Sequence, residues 1–407
     1  MASGPLAGVR ILDLTHVWAG PLATRILADL GADVLKVEAP MGRGPKVFPG
    51  VPLGGFVGGA ASAEPWNVNA VFVKLMRNKQ SLAIDLKTED GRTIFLKLVS
   101  ISDVVIENFS ARAMANLGLD YPNLREANTK IIHVAMPGYG LNGPYSGRVA
   151  FGPTVEPMSG LTAAMGYGPD EPRATAMAMP DPSSAVSATA AVLTALRLRE
   201  STGEGRLVEM SLHESAVSYA GPWLVDTQFG IEPERIGNRH PQMAPHGMYA
   251  CLGEDNWLAI GCRNDRDYQA LCEVGKLDVD SSWPLSERMA QRERLDEAIS
   301  NWTRTQPHET VTAQLIDAQV PVGKVLDTAG MLANPQSIHR DFFVPLEQGT
   351  PMPGNPIKMS SISNSDWTPC PKLGEDNWPV LHDWLGYDEP TVNELFEKGI
   401  IVDEPPR

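Results

Sequence analysis

Residues 8–38 read GVRILDLTHVWAGPLATRILADLGADVLKVE, and this stretch decides the fold. Residues 9–14 are a short, nearly apolar run, the pattern of a buried strand. Helical spacing follows from Pro21 to Leu30, where Leu22, Ile26, Leu27 and Leu30 share a face and Gly31 is a good C-terminal stop. Residues 32–37 return to a strand. A strand–helix–strand succession predicts two parallel strands, because the helix carries the chain back across the sheet.

The alternation continues outward. Residues 81–86 predict a strand, about Thr88 to Val99 a helix, and 104–106 and 131–135 two more buried strands. Thr88 lacks the acid of a capping box, but Glu89 and Asp90 suit a first helical turn. The expected architecture is α/β, with a Rossmann-like parallel sheet. Residues 39–70 and Pro137 to about Met179 read as long irregular connections, of the kind that line sites. Asp181-Pro182 opens a helix over 184–200, with Asp as N-cap and Pro at the first helical position. Thr202-Gly203-Glu204-Gly205 stops it, and 206–212 reads as a strand.

From about residue 215 the pattern changes. Residues 248–252 and 257–261 flank the turn Gly253-Glu254-Asp255-Asn256 and predict a hairpin. Helical patterns follow at 266–274, 286–304 and 309–319. The expected organisation is a large domain over 1–215, a smaller α+β domain over 216–327, and a segment 328–407 that returns to short strands and ends in a helix around 377–385.

Composition narrows the function. The chain has 407 residues, 43% hydrophobic and 20% charged, which supports a sizeable packed core. Its net charge of −15 argues against a general nucleic-acid or anionic-membrane binder. Residues 1–120 hold twelve Lys and Arg against eleven Asp and Glu, so the acidity lies in the rest. A small polyanion is best accommodated in that first segment. Cys251, Cys262, Cys272 and Cys370 form no C-x-x-C pair, which gives no support to a zinc knuckle or dithiol motif and fits a reducing compartment. Met-Ala-Ser-Gly-Pro has no secretory pattern, and no apolar run reaches the roughly 18–20 residues that span a bilayer. A cytoplasmic location with no membrane partner is expected.

The turn from Thr15 to Pro21 lacks the three glycines of a dinucleotide fingerprint, so an NAD site is not expected. The helix start at Ala19 to Pro21 still suits a phosphate. Asp181 carries two compatible readings. It is a helix cap, and it is a carboxylate kept ionised by the helix dipole and so available as a nucleophile. Taken alone, Asn78-Lys79 and Asn108-Phe109 read as turn chemistry, Arg43, Arg77 and Arg112 as solvated charges, and His16 as a hydrogen-bonded structural residue.

Together these pieces resemble the family III CoA-transferases, the CaiB/BaiF or formyl-CoA transferase family. The resemblance rests on residues 8–38, RNKQSLAIDLKTEDGR at 77–92, DVVIENF at 103–109, GYGLNGPYSG at 138–147 and DPSSAVSATAAVLTALRLRESTGEGRLVEMSLHE at 181–214. It continues with APHGMYACLGEDNWLAI at 244–260, VPVGKVLDTAGMLANP at 320–335 and CPKLGEDNWPVL at 370–381. It implies a large Rossmann-like domain built from both chain ends and completed by 328–407, a smaller domain between, and two subunits interlocked as rings, either a homodimer or a pair with a paralogue. It implies that Asp181 attacks an acyl-CoA thioester and passes CoA to a carboxylic acid through anhydride and aspartyl-CoA intermediates. CoA thioester is then a substrate, and no permanently bound cofactor or metal is called for. Succinyl-CoA is the donor by common family usage.

The resemblance also carries over CoA contacts. They are Val17, Trp18 and Ala19 after strand one, Asn78 and Lys79, Asn108 and Phe109, Tyr139 of the Gly-Tyr pair, and Arg43 and Arg112 toward phosphate. Trp18 departs from the Gln of formyl-CoA transferases, and residues 237–247 replace their glycine-rich loop and are expected near substrate. The related α-methylacyl-CoA racemases use a His where Phe151 stands, so transfer is favoured over racemisation. The retained Asp181 argues against a non-catalytic subunit. Trp18, Phe151, Met158, Met177 and Met179 are expected to line the acid pocket, with Arg173 or Arg239 for a second carboxylate.

Overall fold

The strands of the N-terminal half are near-continuous buried runs, so one sheet buries both of its faces. The computed structural model describes residues 4–40, 46–48, 51–52, 55–59, 64–346, 349–360 and 367–405. Six strands pair in parallel: β1 (Arg10–Asp13), β2 (Asp33–Glu38), β3 (Lys79–Ala83), β4 (Val104–Glu107), β5 (Ile132–Ala135) and β6 (Arg206–Glu209). Their order is β3-β2-β1-β4-β5-β6. The chain therefore winds outward from β1 in both directions, and the carboxyl ends of β1 and β4 flank a topological switch point. Sheets of this kind bind ligands there.

Four helices matter for the site: α1 (Ala19–Asp29), α2 (Ala70–Met76), α3 (Glu89–Ser100) and α4 (Pro180–Thr202). Ile11, Val34, Val104 and Ile132 pack with Leu27 of α1 and Val192 of α4. On the other face, Leu12, Leu35, Leu82 and Val105 pack with Phe95 and Leu98 of α3. Each such side chain, fully buried, stabilises the fold by about 2 kcal/mol. Thr88 does cap α3, its hydroxyl accepting from the Gly91 N–H at 3.0 Å.

The larger unit comprises Met1–Thr162, Ala174–Gly230 and Asp341–Arg407, and the smaller Ala163–Arg173 and Ile231–Arg340. The smaller unit thus starts and ends later than the expected 216–327 and takes in residues 163–173. Val380, Val392, Leu395 and Ile400 join the Leu82 face, so the chain's last segment lies in the larger unit. The helix expected at 377–385 is a short turn, Asn377–Pro379, followed by a π-helical turn, Val380–Trp384. Helix α5 (Gly221–Gln228) is the last element of the larger unit before the chain enters the main part of the smaller one at Ile231.

That unit has an antiparallel sheet of β7 (His246–Ala250), β8 (Trp257–Gly261) and β9 (Val322–Lys324), with β8 central. The expected hairpin pairs Ala250 with Trp257 and His246 with Gly261. Helices α6 (Asp265–Gly275), α7 (Arg292–Thr303) and α8 (His308–Asp317) bury Leu271, Ile299 and Leu315 with Leu258 and Ile260 of the sheet. The helix expected over 286–304 is broken at Gln291, between Leu285–Ala290 and α7. No helix among the described residues is long and apolar enough to cross a membrane.

Candidate active site

The loop from β1 to α1 is held unusually firmly. Val17 adopts φ +67°, a left-handed conformation that a β-branched residue enters only under constraint, at a cost of about 1–3 kcal/mol. Asn108, just past β4, grips the preceding residue. Its Oδ1 accepts from the His16 N–H at 2.7 Å and its Nδ2 donates to the His16 carbonyl at 2.8 Å. The His16 and Phe109 rings stack with centroids 5.3 Å apart. Below the loop, Asp13 accepts from the Thr15 N–H and hydroxyl and from Thr24 Oγ1 at 2.6–2.8 Å. Lys36 Nζ donates to the Thr15 carbonyl at 2.5 Å. The register pairs Asp13 with Lys36 across β1 and β2, which places both under α1. Burial alone would raise the Asp13 carboxyl, yet Lys36 and Lys79 hold it well below the usual carboxylate range.

Asp181 meets this loop from α4. It is the second residue of that helix, behind an N-cap at Met179, and no side chain caps the helix. The cap role expected for Asp181 is therefore not the one it fills in its own helix. The Ala19 N–H, first of α1, donates to its carboxylate instead. Trp18, the N-cap of α1, offers no acceptor side chain, and the first turn of α1 holds no acid. Asp181 supplies from α4 the anion that the α1 terminus lacks. The dipole does not dominate, however. Burial pushes the carboxyl up from 3.8 to about 6, with the Ala19 bond holding it back. At pH 7 the group is still ionised by about ten to one.

Two neighbours fix where this carboxylate lies. A Cβ on Gly152 would stand 1.9 Å from Asp181 Oδ2, so only glycine lets the carboxylate sit there. Glu156 is buried and accepts from the Thr175 N–H at 2.6 Å, Thr175 Oγ1 at 2.5 Å and the Met179 N–H at 3.2 Å. It thereby braces the chain entering α4.

The structure brings Val17, Trp18, Ala19, Asn108, Phe109 and Asp181 together at the carboxyl ends of β1 and β4. It does not bring Asn78 and Lys79 there. Both stand at the amino end of β3, where Asn78 donates to Asp29 at 2.8 Å and accepts from the Thr368 N–H at 2.8 Å. Lys79 Nζ is fully buried and bonds Asp13 at 3.0 Å, Thr24 Oγ1 at 2.8 Å and the Pro21 carbonyl at 3.1 Å. It has no surface left for a phosphate and serves as a counterion beneath α1. Tyr139 follows β5, half-buried, with its hydroxyl 3.2 Å from Met158 Sδ. Arg112 is exposed at the start of Ala113–Asn116. Arg43 lies outside the described residues.

The arginines expected to meet a second carboxylate are already paired. Arg239 bonds Glu293 at 3.1 Å and Asp296 at 3.3 Å, and Arg173 bonds Glu171 at 3.1 Å. Residues 237–247 belong to the smaller unit, where His246 Nδ1 lies 2.7 Å from the Asn238 carbonyl oxygen. Three contributors escaped the sequence reading: Gly152, Glu156 and Lys74. Lys74 Nζ of α2 sits 4.6 Å from the centroid of the Trp18 ring. Its helical position one turn before Asn78 was a legible signal; the other two reveal themselves only through the fold.

Comparison with known proteins supplies the family. The model of CoA-transferase family III matches residues 6–377. The acetyl-CoA:oxalate CoA-transferase of Acetobacter aceti is 34% identical over 91% of this chain and 94% of its own length. The succinate–glutarate CoA-transferase of Agrobacterium fabrum is 34% identical over 93% and 95%. The crystal structure of a CaiB/BaiF family protein from Brucella suis superposes with a TM-score of 0.80 at 29% identity, over 94% of this chain and 99% of that one. With a parallel sheet, a strand-one turn at its switch point and this match along most of its length, the chain belongs to CoA-transferase family III and is an enzyme of CoA transfer.

Proposed function

We propose that this enzyme passes CoA from an acyl-CoA to a dicarboxylic acid through covalent intermediates on Asp181. The carrying observation is the Asp181 carboxylate itself, buried against Gly152 and bonded to the first amide of α1. An Asp181 oxygen attacks the thioester carbonyl, the carbon–sulfur bond breaks, and CoA leaves as thiolate. The thiolate then attacks the Asp181 Cγ of the mixed anhydride, releasing the donor's acid as carboxylate. The acceptor carboxylate attacks the resulting aspartyl-CoA thioester and expels the thiolate again. Attack of that thiolate on the acceptor's own carbonyl gives the new thioester and restores Asp181. Every step exchanges one acyl bond for another, with no net proton change.

The surroundings suit this chemistry. A carboxylate with its affinity for protons raised is the better nucleophile, yet it stays charged at neutral pH. When Cγ becomes tetrahedral, the Ala19 N–H is placed to donate to the oxyanion. The acid class follows the relatives, which are named for oxalate, glutarate, mesaconate and D-citramalate. Succinyl-CoA is the donor to try first, since several are named for it. Racemisation is disfavoured because Phe151, where a second base would stand, is exposed and cannot titrate.

A two-copy assembly accompanies the reading. Helix α5 buries none of its residues, and Leu224 and Val225 on it, with Phe229 just beyond, are exposed. A short helix without a buried face needs a partner surface, and a second copy of the chain supplies one. The mechanism is tested by incubation with succinyl-CoA, quenching with hydroxylamine and peptide mapping by mass spectrometry. A hydroxamate at Asp181 is expected, and its absence would overturn the covalent route.

A further inference from the structure

We propose that Lys74, seated on the face of Trp18, receives an oxyanion of the substrate beside Asp181. The proposal rests on the transferase reading and names a specificity-determining residue for it. Lys74 Nζ lies 4.6 Å from the centroid of the Trp18 ring, and among the described residues no carboxylate pairs with it. The neighbouring acid is already spent. Asp29 binds Arg77 Nε at 2.9 Å and Nη2 at 2.7 Å, accepts from Asn78 at 2.8 Å, and has Arg25 at 3.9 Å. Arg25 and Arg77 thus share one carboxylate, and Lys74 adds a cation beside Arg25, which leaves a local surplus of positive charge. Burial and the Arg25 guanidinium both lower the proton affinity of the Lys74 ammonium, as for a cation awaiting its anion.

Position connects this charge to the reaction. Trp18 directly precedes Ala19, whose N–H holds Asp181, so the aromatic platform and the nucleophile share one backbone turn. Stacking on an aromatic face also restricts a long side chain that would otherwise lose rotamer freedom on meeting its ligand. Both substrates carry suitable oxyanions: the distal carboxylate of a dicarboxylic acyl group, and the phosphates of CoA. The half-buried position of Lys74, on the ring next to the amide that holds Asp181, favours the carboxylate.

The test compares succinyl-CoA with butyryl-CoA, which matches its chain length but lacks the distal carboxylate, in the full-length enzyme and in Lys74→Gln and Lys74→Arg. If Lys74 meets the carboxylate, Lys74→Gln lowers the succinyl-to-butyryl ratio of kcat/KM by tenfold or more, and Lys74→Arg restores most of it. If it meets a phosphate, kcat/KM falls about equally for both donors, and again Arg rescues. Unchanged kcat/KM for both donors, or a loss that Arg fails to rescue in a variant with normal thermal unfolding, overturns the proposal. Formation of the Asp181 adduct at saturating donor is followed in parallel. Its absence in the unmodified enzyme would fault the transferase mechanism rather than the role of Lys74.

Discussion

Replacing Asp181 by Asn removes the nucleophile, and it also removes a charge that the fold holds at a loss. Burial raises the carboxyl from 3.8 to about 6, so the folded chain binds that proton more tightly than the unfolded chain. The resulting stabilisation is full below pH 3.8 and is lost as pH rises through 6. At neutral pH the ionised group therefore destabilises the fold by about 3 kcal/mol at most. Asn keeps an oxygen for the Ala19 N–H and cannot ionise. The expected result is thus unusual for a buried substitution: Asp181→Asn unfolds several degrees higher than the parent at pH 7.5, and the gap closes near pH 4.5. Its CoA transfer falls by at least about a thousandfold. Thermal unfolding at both pH values, with thioester products measured by chromatography, checks both halves. An equal or lower melting temperature at pH 7.5, or a gap independent of pH, would refute the account of the site's electrostatics. In the parent enzyme, kcat/KM for the acyl-CoA should drop about tenfold per pH unit below 6, as the nucleophile takes up its proton.

Gly152→Ala places a Cβ 1.9 Å from Asp181 Oδ2 and 2.7 Å from the Ala178 Cβ. The displacement of roughly 1 Å that this demands should lower kcat by about a hundredfold, measured by initial rates, while the variant still folds. Lys79→Met leaves Asp13 with Lys36 as its remaining lysine, so denaturant unfolding should register a loss of about 3 kcal/mol. The KM for acyl-CoA should change less than threefold; a large rise would return Lys79 to the CoA site. Substituting Val225 and Phe229 together by Asp should convert the assembly to single chains by light scattering, if a second copy covers α5.

The parallel sheet was legible because residues 8–38 combine a buried strand, a helix with one apolar face and a glycine stop, three local signals that agree. Asp181 was legible because an acid before a helix is conspicuous in sequence. Its partner was not: the bond to Ala19 joins residues far apart in the chain, and only the packing of α4 beside α1 creates it. Lys79 marks the opposite failure. Its match to a family pattern points to the CoA nucleotide, but strand register carries its ammonium under α1 to Asp13. A sequence discloses a charge, but not which way the chain turns it. The helix α9 (Glu389–Glu397) was missed despite Asp388, whose carboxylate accepts from the Thr391 N–H at 3.1 Å as a cap. The break at Gln291 had no glycine or proline to announce it.

A net charge of −15 and a polyanionic substrate are compatible because the positive charge is placed rather than plentiful. Along one side of α1, Asp13 is met by both Lys36 and Lys79. Toward its far end, Asp29 is shared by Arg25 and Arg77. Lys74 stands over Trp18, and among the described residues no carboxylate pairs with it. Each group holds more cations than acids, and the free amides at the start of α1 add their partial charge at the switch point. The positive charge is therefore spread along α1, with the free amides and the Asp13 lysines at the end that meets the strand ends. An anion arriving there is drawn toward Asp181 without the broad basic surface that would also hold nucleic acid. Burial pushes the Asp181 carboxyl up and the Ala19 amide at the α1 terminus holds it back, which leaves it a nucleophile at neutral pH.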